Sequence, residues 1–167
     1  MNSLLETTIK PNGGQRANKT GISLESFVEQ ALINNGYTKF ENHKLQLFEN
    51  RKTIGGKQYA TQVPCGKTIY ESERVCDFLI MNSEKFPDGL IIECKWQQVA
   101  GSVDEKYPFL YFNIMKCGVP TVVLLDGGGC KKTAKAWLQS MADPKRALIA
   151  VWNMSEFHKA VNNGFLS

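Results

Sequence analysis

Histidine is nearly absent: the chain has two, His43 and His158, far apart in sequence. The five cysteines (Cys65, Cys76, Cys94, Cys117 and Cys130) are odd in number, and none forms a C-x-x-C pair. A structural zinc site therefore lacks its usual donors, and free thiols point to a reducing compartment, so a cytoplasmic protein is expected. No apolar run approaches the roughly 20 residues that cross a bilayer, and the N-terminus has no apolar signal core. An excess of charge is also missing. Twenty Lys and Arg against sixteen Asp and Glu leave +4, which is compatible with a polyanionic partner but does not demand one. There is no internal repeat, linker or low-complexity tract, and 167 residues are most simply one domain with a substantial core.

What is present is charge inside strands. Arg74-Val-Cys-Asp-Phe-Leu-Ile-Met-Asn82 and Gly89-Leu-Ile-Ile-Glu-Cys-Lys-Trp-Gln97 are apolar runs of strand length, and Ser83 to Asp88 between them reads as a hairpin connection. Asp77 interrupts the first run, and Glu93 and Lys95 interrupt the second. Strand side chains alternate, so Glu93, Lys95 and Gln97 share one face, while Cys94 and Trp96 pack on the other. A carboxylate in an apolar strand is costly unless a cation compensates it. Two carboxylates beside an ammonium point to a divalent metal.

Asp77, fifteen intervening residues, then Glu93-Cys94-Lys95 resembles the signature of the PD-(D/E)XK nuclease superfamily, with its restriction-endonuclease-like fold. The resemblance in element order covers roughly residues 20 to 126, and it is nearest to type II restriction-type members. One departure is that Cys76, not Pro, precedes Asp77. A literal Pro87-Asp88 lies five residues before Glu93, inside the expected turn, and is treated as a decoy. The resemblance implies an αβββαβ core with a mixed sheet flanked by helices, and an endonuclease that hydrolyses DNA with Mg²⁺, for which Mn²⁺ substitutes. It implies metal ligation by Asp77, Glu93 and the Cys94 carbonyl, catalysis by Lys95, and a supporting role for Gln97. It further implies a duplex substrate and a homodimer with one site per strand.

The remaining chain fits that order. Residues 1 to about 20 read as an irregular arm, with Arg16 and Lys19 as solvated or phosphate-contacting charges, and residues 21–167 as the domain. Ser23 is placed to cap a helix with Leu24, Phe27, Val28, Ala31 and Leu32 on one face, ending at Gly36. Glu25 has two readings: a first-turn acid suiting the helix dipole, or the family's acidic helix residue at the metal site. Strands are expected at residues 59–63 and 67–70, broken at Pro64-Cys-Gly66. Arg51, Lys52 and Lys57 form a basic stretch, and Lys131, Lys132 and Lys135 form another at a helix start. Each group is either a DNA-backbone contact or a solvated face. Ser102 with Glu105 has capping-box spacing before an apolar helix to Lys116. Pro120 to Leu125 reads as a buried strand, and Ala147 to Trp152 as another, before a helix capped by Ser155. Gly127-Gly-Gly129 lacks the G-x-x-x-x-G-K-[ST] spacing, so no nucleotide cofactor is expected.

Other readings of the same core are a junction-resolving nuclease and an inactive DNA-binding module. A fourth is a buried ion pair of Asp77, Glu93 and Lys95 without catalysis.

Overall fold

In the computed structural model the described residues are 13–41, 46–97 and 105–167, with side chains from Leu24 onward. The chain runs α1 (Gly13–Asn34), β1 (Thr38–Lys39), α2 (Leu47–Asn50), β2 (Gln58–Lys67), β3 (Glu73–Asn82), β4 (Phe86–Trp96), α3 (Lys106–Cys117), β5 (Thr121–Asp126), α4 (Lys132–Ser140), β6 (Leu148–Trp152) and α5 (Met154–Asn162). The six strands form one sheet in sequence order. β2, β3 and β4 are an antiparallel meander, whereas β5 and β6 add parallel to β4 through the α3 and α4 crossovers. This is the mixed sheet with flanking helices that the sequence predicts.

The heptad-like face of α1 buries Leu24, Val28 and Leu32 against Phe78, Ile80, Leu90, Ile92, Val122 and Leu124, with Phe157 of α5 completing the layer. Each such side chain contributes about 1.5–3 kcal/mol on burial. Cys94 and Trp96 pack against this layer, as the alternation requires. On the opposite face, α3 and α4 cover Val123, Leu125, Leu148 and Val151. Gly36 ends α1 at φ 83°, the left-handed geometry that glycine adopts without cost.

Several local expectations change. Backbone from Gly13 is already helical, so residues 13–20 belong to α1 and Ser23 lies inside the helix. The side chains of Arg16, Lys19 and Ser23 lie outside the described residues, as do Ser102 and residues 1–12. β2 runs unbroken through Pro64, because β1 pairs with Gln58 and Tyr59 alone and leaves Pro64 on an open edge. β4 begins at Phe86, so Pro87 and Asp88 are strand residues, not turn residues. The last helix is capped by Asn153 in a capping box with Glu156, not by Ser155.

α1 is tied to the sheet edge by Glu29, which accepts hydrogen bonds from Lys39 Nζ and Tyr59 Oη, both at 2.8 Å. The Lys39 bond, with help from Tyr59, holds the Glu29 carboxyl below its usual range. A depressed carboxylate stabilises above the unfolded-state pKa and loses that contribution as pH falls through the folded one. Glu29→Gln is therefore expected to cost roughly 0.5–1 kcal/mol at neutral pH, a value held down by solvent screening of the partly exposed pair. Below the ordinary carboxylate range of about 4.5, its melting curve should merge with that of wild type. Parallel melting curves down to low pH would show that Glu29 contributes nothing through its charge.

Candidate active site

β3 and β4 bring Asp77, Glu93 and Lys95 together at the end of the sheet where the parallel strands finish. Lys95 Nζ lies 2.9 Å from Glu93 Oε2 and 3.3 Å from Asp77 Oδ2. The Cys94 backbone N–H donates to Asp77 Oδ2 at 2.8 Å, and Gln62 Nε2 donates to Asp77 Oδ1 at 3.2 Å. Gln62 reaches Asp77 from a left-handed backbone position, φ 52°, uncommon for a residue with a side chain. Burial opposes the charge on Lys95, but Glu93 and Asp77 outweigh it and raise the ammonium's pKa above its ordinary value.

Glu93 is 3% exposed and has a second cation. Arg74, 6% exposed, donates from Nη2 to Glu93 Oε1 at 2.7 Å. So Glu93 is clamped on one oxygen by a buried guanidinium and on the other by the more exposed Lys95. Sequence reading missed this residue as a partner. The signal was a second charge on the apolar run of Asp77, three residues before it, but a contact across 19 positions leaves no periodic trace.

Gln97 faces the same way but is engaged structurally. Tyr107 Oη donates to its Oε1 at 2.6 Å, and its Nε2 donates to the Gly129 carbonyl at 3.2 Å. Its backbone accepts from Gly129 N at 2.7 Å and donates to Asp126 at 2.9 Å. Gly127, at φ 107°, passes so close that a Cβ there would meet the Gln97 carbonyl oxygen at 2.5 Å. The glycine run thus braces the end of β4, which accounts for it without a phosphate.

Glu25 lines a small hollow with Asp77 and Glu29 on the α1 side of the site. Burial, then the neighbouring Asp77 charge, raises its carboxyl pKa. Among the described residues no three His, Cys, Asp or Glu side chains group to hold a metal. Glu25 is close enough to feel Asp77 electrostatically, but it does not complete a third ligand.

The two basic groups sit at different ends. Arg51 donates to the carbonyls of Asp88 and Phe48, Lys52 bridges to Asp88, and Lys57 donates to the Asn35 carbonyl over the Tyr37 ring. Asp88 and Glu93 are separated by roughly 17 Å of extended strand, so Arg51 and Lys52 lie at the far end of β4. Lys131, Lys132 and Lys135 begin α4 just beyond β5, whose Asp126 pairs with Trp96. They share the site's end of the sheet.

The family model of the PD-(D/E)XK nuclease superfamily domain matches residues 16–165, nearly the whole chain. The chain belongs to the PD-(D/E)XK nuclease superfamily. No curated protein and no solved structure matches it significantly. Asp77, Glu93 and Lys95, like Arg74, fall within the span of this nuclease domain. Asp77 and Glu93 converge on one positive centre, Lys95 Nζ, and their carboxylate oxygens are hard donors of the kind a divalent cation takes. No helix among the described residues is long and apolar enough to cross a membrane.

Proposed function

We propose that this nuclease domain is a Mg²⁺-dependent endonuclease that hydrolyses phosphodiester bonds in double-stranded DNA. The observation that carries the reading is the single ammonium shared by two carboxylates from adjacent strands. Asp77, Glu93 and the Cys94 carbonyl would hold the ion through oxygen atoms. When bound, it supplies Lewis-acid polarisation of the phosphate and a water of lowered pKa. Lys95 orients the attacking water and offsets negative charge gathering on the phosphate. Arg74 fixes the Glu93 carboxylate with one oxygen turned to the reacting centre, and Gln62 and the Cys94 N–H do the same for Asp77. Gln97 acts by keeping the end of β4 in place. Glu25 tunes the negative charge beside Asp77. Cutting both strands would use two copies of the domain, one per strand.

The test is cleavage of linear duplex, supercoiled plasmid and four-way junction with Mg²⁺, Mn²⁺, Ca²⁺ or EDTA. Mg²⁺ and Mn²⁺ should support cutting and Ca²⁺ very little; robust cutting in excess EDTA would sink the mechanism. A strong preference for the junction would move the reading to a resolving nuclease. A footprint on the site's end of the sheet also has a salt signature. Neutralising Lys131, Lys132 and Lys135 together should flatten the slope of log affinity against log salt by about 2–3, as roughly 0.9 is lost per phosphate contact. Neutralising Arg51, Lys52 and Lys57 should leave the slope nearly unchanged, since they serve the far end of the sheet. The reverse pattern would place DNA on that end.

A further inference from the structure

Beside the Glu93 and Lys95 carboxylate–ammonium pair opens a cleft of about 610 Å³, bounded by the start of β3, the end of β4 and α3, with Thr68 at its edge. Its two ends differ in chemistry. At the inner end Arg74 is nine-tenths buried, yet its Nη1 has no hydrogen-bond partner among the described residues. Nη1 is itself closed off from solvent, so Arg74 lends the cleft its charge rather than a hydrogen bond. At the outer end the wall is apolar: Val75, Phe109 and Leu110 line it, and Tyr70 stacks on Phe109 with ring centroids 5.2 Å apart at 23°. Tyr70 is 76% exposed and Val75 48%, so solvent covers a surface that an isolated domain has reason to hide. Lys106, at the start of α3, adds positive charge to the rim, where Glu73 is the one carboxylate besides Glu93 in the lining.

Building on the nuclease reading, we infer that this cleft receives one unpaired nucleotide of the strand being cut. Its base lies against the Phe109 ring, which Tyr70 backs, and its phosphate is held by Lys95 and Lys106. The volume lies within the range of small-molecule pockets and takes one nucleotide rather than a stacked base pair. Charge fits as well, for the cationic end adjoins the reacting centre and the aromatic end is remote from it. A flat neutral base joined to a phosphate is ordered in the same way. Stacking on an aromatic ring favours every base alike, so the cleft confers no sequence preference. In a fully paired duplex the gain is spent on unstacking the base, whereas a nucleotide already unpaired keeps it in full.

The experiment compares three DNAs of one sequence: fully paired, carrying a single unpaired nucleotide, and single-stranded. Binding is read by fluorescence anisotropy in EDTA, and cleavage is read separately with Mg²⁺. Wild type should bind the DNA with one unpaired nucleotide about tenfold or more tighter than the paired one. Tyr70→Ala and Phe109→Ala should each bring that ratio close to one, with thermal melts confirming that both variants fold. Equal binding of paired and unpaired DNA by wild type would overturn the inference, as would a ratio that survives both substitutions. Free dAMP binding as tightly as the DNA would overturn it too, by making the cleft a free-nucleotide site. The two readings fail separately. Preference for the unpaired nucleotide with no cutting of any DNA defeats the nuclease, whereas cutting without preference defeats the cleft.

Discussion

Arg74→Ala should lower the stability of the domain by about 3–5 kcal/mol, because it leaves the Glu93 carboxylate buried with its nearest desolvated partner removed. For a chain of this size that is a fall of roughly 6–20 °C in melting temperature. Lys95 cannot take over the role in full. It is already shared with Asp77, and its side chain is 39% exposed against 6% for Arg74. The converse substitution, Lys95→Ala, should be much milder for the fold. Glu93 would keep Arg74, and Asp77 would keep the Cys94 N–H and Gln62. Yet Lys95→Ala should abolish turnover, so the two cations separate structure from chemistry. A double variant, Arg74→Met with Glu93→Leu, should regain much of the lost stability, since apolar packing often replaces a buried pair without loss. It should remain unable to cut. An Arg74→Ala protein that melts within about 2 °C of wild type would mean that the Arg74 clamp is not what holds Glu93 in the fold.

That division of labour explains what could be read in advance. Asp77, Glu93 and Lys95 stand out because each breaks an apolar run, and the period of two in a strand fixes which of them share a face. The helix face of α1 and the unbroken apolar β5 are equally direct, since burial dictates their pattern. Arg74 and Gln62 are different. Their importance lies in pairings across strands, with Glu93 and Asp77, that depend on the register between β2, β3 and β4. Local sequence does not encode that register. The strand through Pro64 was hidden for a related reason: a proline is tolerated there because the neighbouring β1 is two residues long. The start of α1 was obscured by Gly13 and Gly14, which read as breakers but are helical in the fold. The glycine run after β5 lacks nucleotide-loop spacing, but its actual role, the close passage of Gly127 across Gln97, is a tertiary contact that no local pattern reveals.

The two aspartates give the sharpest separation of site from scaffold. Asp77→Asn keeps the shape of the side chain and an oxygen for the Cys94 N–H, but removes the negative charge that a divalent ion needs. Cleavage should fall by about a hundredfold or more, judged by what loss of even supporting groups costs a metal site. DNA binding should persist or tighten, because less negative charge faces the phosphates. The sequence places Asp88 in a turn, whereas the structure places it on a strand, and a different argument then predicts that it is inert. It lies on β4 at the far end from Glu93, exposed, with its carboxylate bridged to Lys52 and its carbonyl to Arg51. The backbone bond to Arg51 survives any side-chain change, and an exposed bridge to a lysine carries little. Asp88→Asn should therefore cut DNA at the wild-type rate and melt at the wild-type temperature. Purified Asp77→Asn and Asp88→Asn, assayed side by side with Mg²⁺ and by anisotropy in EDTA, decide between them. An active Asp77→Asn beside a dead Asp88→Asn would move the catalytic centre to the other end of β4.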